Sequence, residues 1–422
     1  MDIRMYNVQF GEAILLHESD RNLLVDFGGK DSRCLRRSVK DIALHFSSQP
    51  TDILITHFHE DHINGFWKTD ILSNATGSTV YMPNLFSGFR TMPGLSWAQL
   101  HIVKDILNSI ILRKRNTTNP SFYSKIPGKG KSAFDITLYH FFRALLSDKR
   151  CITFLEAGDS FYFSRKKYDV LWPDFNQLNT CAIDDANLIR TLRSIGIFSP
   201  NQFDGSSPLH LSAIDTFIDV LQNIAYNLSN VTDNHSTQIN REILSTQLDN
   251  AYVTLVVELE SLIRPQLIQL TNHDISNISA SLHSLIRLNN DISIVFHSSK
   301  DSVPSVERPI LMTGDISSQI FENIIDVHKL YRIAYRAIKI PHHGTISSFA
   351  SMLPHAKYYL ISNGSGHSSA DLISIKYTSI PGNFFPYKLL CTNARCQKIN
   401  TSPYTPCTNC TALSKLPYID CP

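Results

Sequence analysis

His57, His59, Asp61 and His62 place four potential metal ligands within six residues, in the stretch Thr56-His57-Phe58-His59-Glu60-Asp61-His62-Ile63-Asn64-Gly65-Phe66. Imidazole and carboxylate suit zinc, manganese or iron, and the lack of a thiolate argues against a closed structural zinc site. His57 and His59 are two apart, so in an extended chain both side chains leave the same face. Asp61 and His62 follow at once and can turn towards a second ion beside the first. Just upstream, Asp52-Ile53-Leu54-Ile55 reads as a short buried strand that ends where the ligands begin. That context sets the stretch apart from a surface loop rich in histidine.

The neighbouring elements must hold this loop in place. Residues 8–16 and 22–29 read as two strands joined by a polar hairpin. Asp26 ends the second strand, where a carboxylate either caps the Gly28-Gly29 turn or holds a ligating histidine from behind. Beside the histidine loop, the second role is the expectation. A helix is expected over residues 40–47, a strand over 80–83, and an amphipathic helix over 96–113 from the spacing of Leu100, Val103, Ile106, Leu107 and Ile110. The segment 104–150 is basic: Lys104, Arg113, Lys114, Arg115, Lys125, Lys129, Lys131, Arg143, Lys149 and Arg150 oppose Asp105, Asp135 and Asp148. Such an excess lines a phosphate-backbone groove or forms a solvated basic face.

HFHEDHINGF resembles the HxHxDH motif of the metallo-β-lactamase superfamily, and its Ile-Asn-Gly tail is similar to the DHIGG form of ComEC-type competence hydrolases. Further along, Pro309-Ile310-Leu311-Met312-Thr313-Gly314-Asp315 resembles that family's LLTGD, and Ala337-Ile338-Lys339-Ile340-Pro341-His342-His343-Gly344-Thr345 its KVPHHGS. Gly366-His367-Ser368 stands at the place of a glycine-histidine-proline. The resemblance covers roughly residues 1–173 and 289–392. It implies an αββα sandwich of two mixed sheets with helices outside, and two divalent cations, zinc or manganese. His57 and His59 would hold one ion, Asp61, His62 and His343 the other, with Asp315 bridging. Asp61, His342 and His367 would stand nearest the reaction. His343 is assigned as ligand and His342 as the group facing substrate phosphate, the reverse order being the alternative; His367 would contact substrate or complete a metal shell. The β-lactamases carry a further ligating histidine before the bridging aspartate. No motif supports His101, His140 or His297 in that place; the chain is similar to ComEC-type sequences in lacking it, so the resemblance implies a phosphodiester-type site and leaves the first ion's third ligand open.

Residues 174–288 interrupt the resemblance with helical periodicity, as in Ile214, Phe217, Ile218, Leu221 and Ile224. The expected organisation is therefore 1–173 as first half, 174–288 as helical insertion, 289–390 as second half and 391–422 as a tail. In the tail, Cys391-x4-Cys396-x10-Cys407-x2-Cys410 has the paired form of a structural zinc site, with Cys421 as a spare or substitute fifth thiol.

Composition fits a globular chain: of 422 residues, 43% are hydrophobic and 18% charged, and the net charge of +2 predicts no polyanion partner by itself. No run of eighteen apolar residues occurs and the N-terminus does not read as a signal peptide, so no membrane span and a cytoplasmic location are expected. The function expected is a dinuclear phosphodiesterase or nuclease acting on DNA or RNA. The alternatives are a hydrolase of small phosphoesters such as cyclic nucleotides, and a regulatory subunit docking protein through its helical insertion or zinc tail.

Overall fold

The computed structural model describes residues 1–9, 11–72, 79–88, 95–118, 134–147, 150–178, 185–197, 212–229, 240–299, 309–345, 353–362, 388–392 and 418–421. The chain divides into two compact units, one of Met1–Asn84, Asp148–Asp174 and Asn290–Pro422, the other of Leu85–Ser147 and Phe175–Asn289.

The first unit is built on two seven-stranded sheets. Strands β1 (Asp2–Tyr6), β2 (Ile14–His17), β3 (Asn22–Val25), β4 (Thr51–Leu54), β5 (Thr79–Pro83) and β6 (Cys151–Leu155) belong to one. Strands β7 (Ser160–Phe163), β8 (Lys166–Trp172), β9 (Val295–Ser298), β10 (Ile310–Met312), β11 (Tyr335–Lys339), β12 (Ala356–Ile361) and β13 (Lys388–Cys391) form the other. The last strand, β14 (Tyr418–Cys421), returns to the first sheet beside β1, giving the order β14-β1-β2-β3-β4-β5-β6 against β13-β12-β11-β10-β9-β8-β7. Each sheet is half antiparallel and half parallel; β3 to β6 and β10 to β13 are the parallel runs.

Alternation along the strands explains why the sheets stack. Ile3 and Met5, Ile14 and Leu16, and Leu23 and Val25 point from the first sheet into one core. Phe161, Tyr168, Phe296, Ile310, Met312, Tyr358 and Leu360 meet them there from the second. The intervening Arg4 and Tyr6 face the other way, and both bind Asp41 of helix α1 (Ser32–Ser48), which therefore covers the outer face. The expected helix over 40–47 starts earlier because Asp31 caps it, accepting from the amides of Arg33 and Cys34. Two short helices, α2 (Glu60–Ile63) and α3 (Gly65–Lys68), follow β4.

The second unit is helical: α4 (Trp97–Thr118), α5 (Thr137–Leu146), α6 (Phe175–Leu178), α7 (Asp185–Ser194), α8 (Ser212–Ser229), α9 (Arg241–Gln269) and most of α10 (Asn272–Asp291). Here the expected boundaries need correction, because 85–147 belongs with these helices and not with the first half. Gln99 donates to Asp215 at 2.9 Å, Tyr252 donates to Phe134 O at 2.8 Å, and Asp249 accepts from Tyr139 and Arg143 at 3.1 and 3.0 Å. In the basic segment, expected as a groove or a solvated face, the described cations have partners within their own units. Arg113 pairs with Glu260, Lys114 donates to Leu267 O, Lys104 is buried against Asp105, and Arg150 is buried in the first unit, donating to Thr51 O. The side chains of Arg115, Lys125, Lys129, Lys131 and Lys149 lie outside the described residues. Among the described residues no helix is long and apolar enough to cross a membrane.

Of the expected tail site, Cys391 ends β13, while Cys396, Cys407 and Cys410 fall outside the described residues, as does His367. Cys421 lies on β14 inside the core, and burial pushes its thiol up to about 12.

Candidate metal centre

Parallel strands present their carboxyl ends at one edge of the first unit, the place where open α/β sheets collect ligands. Asp26 follows β3, the His57–His62 loop follows β4, Asp315 follows β10, and His342 and His343 follow β11. A backbone bond joins the loops of the two sheets, Ile294 N donating to Thr56 O at 2.9 Å, and between loops of the second sheet Asp315 N donates to the Ser293 hydroxyl at 3.0 Å. Asp26, His342 and His343 all hold left-handed backbone angles, with φ of 54°, 47° and 55°. Such angles cost about 1–3 kcal/mol each in residues other than glycine and persist where surrounding structure enforces them.

The donor atoms converge. His57 Nε2 lies 3.1 Å from His59 Nδ1. His62 Nε2 and His343 Nε2 lie 3.2 and 3.3 Å from Asp315 Oδ2, and His343 Nε2 is 3.6 Å from Asp61 Oδ2. His57, His62 and Asp315 bring one donor atom each within 4.8 Å of the others, and so do Asp61, His62 and His343. His57, His62, His343 and Asp315 are buried, and His59 and Asp61 half-buried. Two nitrogens about 2.0–2.1 Å from one tetrahedral zinc ion lie roughly 3.3–3.4 Å apart, so these spacings match donors sharing a cation.

Hydrogen bonds behind the rings decide which nitrogens face inwards. A carboxylate only accepts, so Thr56 Oγ1 donates to Asp26 Oδ2 at 2.6 Å and can then accept from His57 Nδ1 at 3.1 Å. His62 Nδ1 donates to the same Asp26 oxygen at 2.8 Å, and His343 Nδ1 to Ser362 O at 2.7 Å. All three rings therefore turn Nε2 towards the cluster.

The charges are concentrated and out of water. Burial lowers the pKa of His62 and of His343. Asp315 and Asp26 around His62, and Asp315 and Asp61 around His343, outweigh burial and raise both. Positive charge is thus favoured at these Nε2 atoms, and a proton and a divalent cation compete for the position. Burial pushes Asp61 and Asp315 up, but the surrounding histidines, and Lys339 beside Asp315, hold both below the usual carboxylate range. His57, desolvated and next to His62 and His59, is held well below its ordinary pKa and is neutral. The donor set and its charge fit divalent cations.

The two histidines after β11 separate. His343 joins the donor groups, whereas His342 turns Nδ1 to Thr345 Oγ1 at 2.6 Å and burial pushes its pKa down to about 4. His101 and His140 lie on helices of the second unit, and His297 lies on β9 with Nδ1 3.0 Å from the Tyr335 hydroxyl. Two buried residues of the site were missed in the sequence, Glu12 and Lys339, whose side chains meet at 2.6 Å. A lysine in the otherwise apolar run Ala337-Ile338-Lys339-Ile340 was the available signal for one of them.

No protein-family profile and no curated protein matches the chain. Similar solved structures include a proposed metallo-β-lactamase from Thermotoga maritima, 18% identical over 38% of this chain and 55% of that one, with a TM-score of 0.20. This chain thus spans about half the length of that protein. Another is a subclass B3 metallo-β-lactamase from a soil metagenome library, 13% identical over 63% of this chain and 94% of that one, with a TM-score of 0.23. Scores this low do not establish a shared fold.

Proposed function

We propose that the first unit is a metal-dependent hydrolase with a two-cation centre, and that it cleaves phosphodiester bonds, with DNA or RNA as substrate. What carries this reading is the cage of histidine and carboxylate donors spaced 3.1–3.6 Å apart at the sheet edge. His57 and His59 would hold one cation, Asp61, His62 and His343 the other, and Asp315 would lie between them. Bound divalent ions supply Lewis-acid polarisation of a phosphoryl oxygen and lower the pKa of water towards neutrality. The chain's own residues hold that chemistry in register: Asp26, Thr56 and Ser362 orient the rings, and burial keeps bulk water from His57, His62, His343 and Asp315. His342, neutral at pH 7, would orient a phosphate oxygen. His367 would join it, and Cys391, Cys396, Cys407 and Cys410 would hold a structural zinc ion.

A small phosphoester substrate is the second reading. Lys104, Arg113, Lys114, Arg143 and Arg150 are engaged within their own units, which favours it over a nucleic-acid backbone. The test is hydrolysis of bis(p-nitrophenyl) phosphate, a cyclic dinucleotide, and single- and double-stranded DNA and RNA by protein loaded with zinc or manganese. Cleavage reduced about 100-fold or more in folded Asp61→Ala and Asp315→Ala variants is expected. Cleavage of the small substrates alone selects the second reading. No phosphodiester cleavage by metal-loaded protein overturns both.

A further inference from the structure

Lys339 ends β11 with its ammonium group fully buried. Three oxygens surround it: Glu12 Oε2 at 2.6 Å, Gly314 O at 2.8 Å and Asp315 Oδ1 at 3.1 Å. It donates hydrogen bonds to Gly314 O and Asp315 Oδ1 and forms an ion pair with Glu12. The two oxygens of Asp315 are thereby given different partners. Oδ1 faces the lysine, while Oδ2 faces His62 and His343 at 3.2 and 3.3 Å. The plane of the carboxylate is set from the side away from the histidines.

Glu12 comes from the other sheet. It lies in the connection between β1 and β2, and its backbone is fastened to the ligand loop: Glu12 N donates to Asp61 O at 3.1 Å and Glu12 O accepts from Gly28 N at 3.0 Å. The chain Glu12–Lys339–Asp315 therefore spans the two halves of the site and joins the loop carrying Asp61 to the carboxylate after β10. Burying three charges in a row is costly unless each is paired. A strut needed only for stability could be built from apolar side chains at lower cost. Here the charges end on an oxygen pair whose orientation decides what the histidines meet.

We propose that the Glu12–Lys339 ion pair is a positioning device that presents one carboxylate oxygen of Asp315 to the histidines and so sets the affinity and coordination geometry of the divalent-cation site. The proposal rests on the metal-centre reading above and adds to it two residues outside the ligand set given there. Neither needs to touch substrate.

Cobalt(II) is the probe, because its visible absorption reports coordination geometry as well as occupancy. The full chain, freed of metal, is titrated with cobalt by absorption and by calorimetry. The wild type is compared with Glu12→Gln and with the double variant Glu12→Gln/Lys339→Met, which removes both charges together and avoids leaving either one buried alone. Folding is checked by circular dichroism. In the double variant, cobalt affinity is expected to fall about tenfold or more, with a changed visible spectrum, as when the hydrogen-bond partners of metal ligands are removed. Glu12→Gln is expected to change both in the same direction by less, and it decides alone if the double variant does not fold. A purely structural ion pair would lower thermal stability and leave the spectrum of the folded, loaded protein unchanged. Unchanged affinity and spectrum in the folded variants would therefore overturn the proposal. Failure of the wild type to take up cobalt would instead overturn the metal-centre reading beneath it.

Discussion

Asp26 Oδ2 accepts from His62 Nδ1 at 2.8 Å, and through the Thr56 hydroxyl, 2.6 Å away, the same oxygen fixes the ring of His57. One carboxylate thus orients two rings that face the cluster. Asp26 also receives Thr56 N at 2.8 Å on its other oxygen, so its own rotation is blocked. Asp26→Asn keeps the shape but places an amide donor against at least one of these donors. The expected result is a 10–100-fold loss of zinc affinity in a folded protein, read by competition with a chromophoric chelator. Wild-type affinity in the folded variant would show that Asp26 does not orient the ligands.

Gly28 lets the ligand loop pass over the end of β3. A Cβ there would stand 2.5 Å from both Asp61 O and His62 N, and both are backbone atoms. The neighbouring Phe27 N already donates to His62 O at 2.6 Å, so the loop has no slack on that side. Gly28→Ala is expected to lower stability by about 1–3 kcal/mol through overpacking and to weaken metal binding in the same variant. Chemical denaturation and zinc titration measure the two effects. Loss of stability with unimpaired zinc binding would mean that the Asp61–His62 segment can shift without moving its side chains.

The parts of the site legible in the sequence were those set by local pattern. A β-branched strand followed by His57-Phe58-His59-Glu60-Asp61-His62 declares itself over ten residues, and so does Asp315 at the end of an apolar run. Lys339 and Glu12 were not legible because burial of a lysine depends on partners 327 and 24 residues away that only the folded chain assembles. The placing of β14 is equally non-local: Ile3 pairs with Cys421, and local pattern says nothing about such a register. The assignment of 85–147 to the helical unit hangs on ion pairs such as Arg113–Glu260, 147 residues apart. For α1 the start was missed for a local reason, since Asp31 as a cap follows a glycine pair that also reads as the end of a turn.

That cap gives a pH-dependent prediction. Asp31 accepts from Arg33 N at 2.7 Å and from Cys34 N at 3.4 Å, and the Arg33 amide in particular holds its carboxyl below the ordinary value despite the opposing effect of burial. A folded-state pKa below the unfolded one contributes stability that is fully present above about pH 4, the unfolded value, and is lost as pH falls through the folded one. Asp31→Ala is therefore expected to cost about 1 kcal/mol near pH 7. The difference from wild type should shrink when unfolding is followed below about pH 4. A difference that stays constant into acid would show that Asp31 acts through packing and not through its charge on the amides.

Cys421 separates core burial from metal ligation. Its side chain lies with Ile3, Met5 and Tyr358 between the sheets, and Arg336 holds the strand in place by donating to Cys421 O. Burial raises the thiol to about 12, so both access and thiolate fraction are low. Iodoacetamide should leave Cys421 unmodified in the folded protein, as mapped by peptide mass, and should modify it in denaturant. Protection that comes from packing survives a chelator, because no ion takes part in it. Protection by zinc disappears once the ion is withdrawn, because the thiolate it stabilised is released. Labelling of Cys421 after chelation, with circular dichroism unchanged, would place it in a metal site and remove it from the core. Continued protection would leave the sheet edge at β14 closed by packing alone.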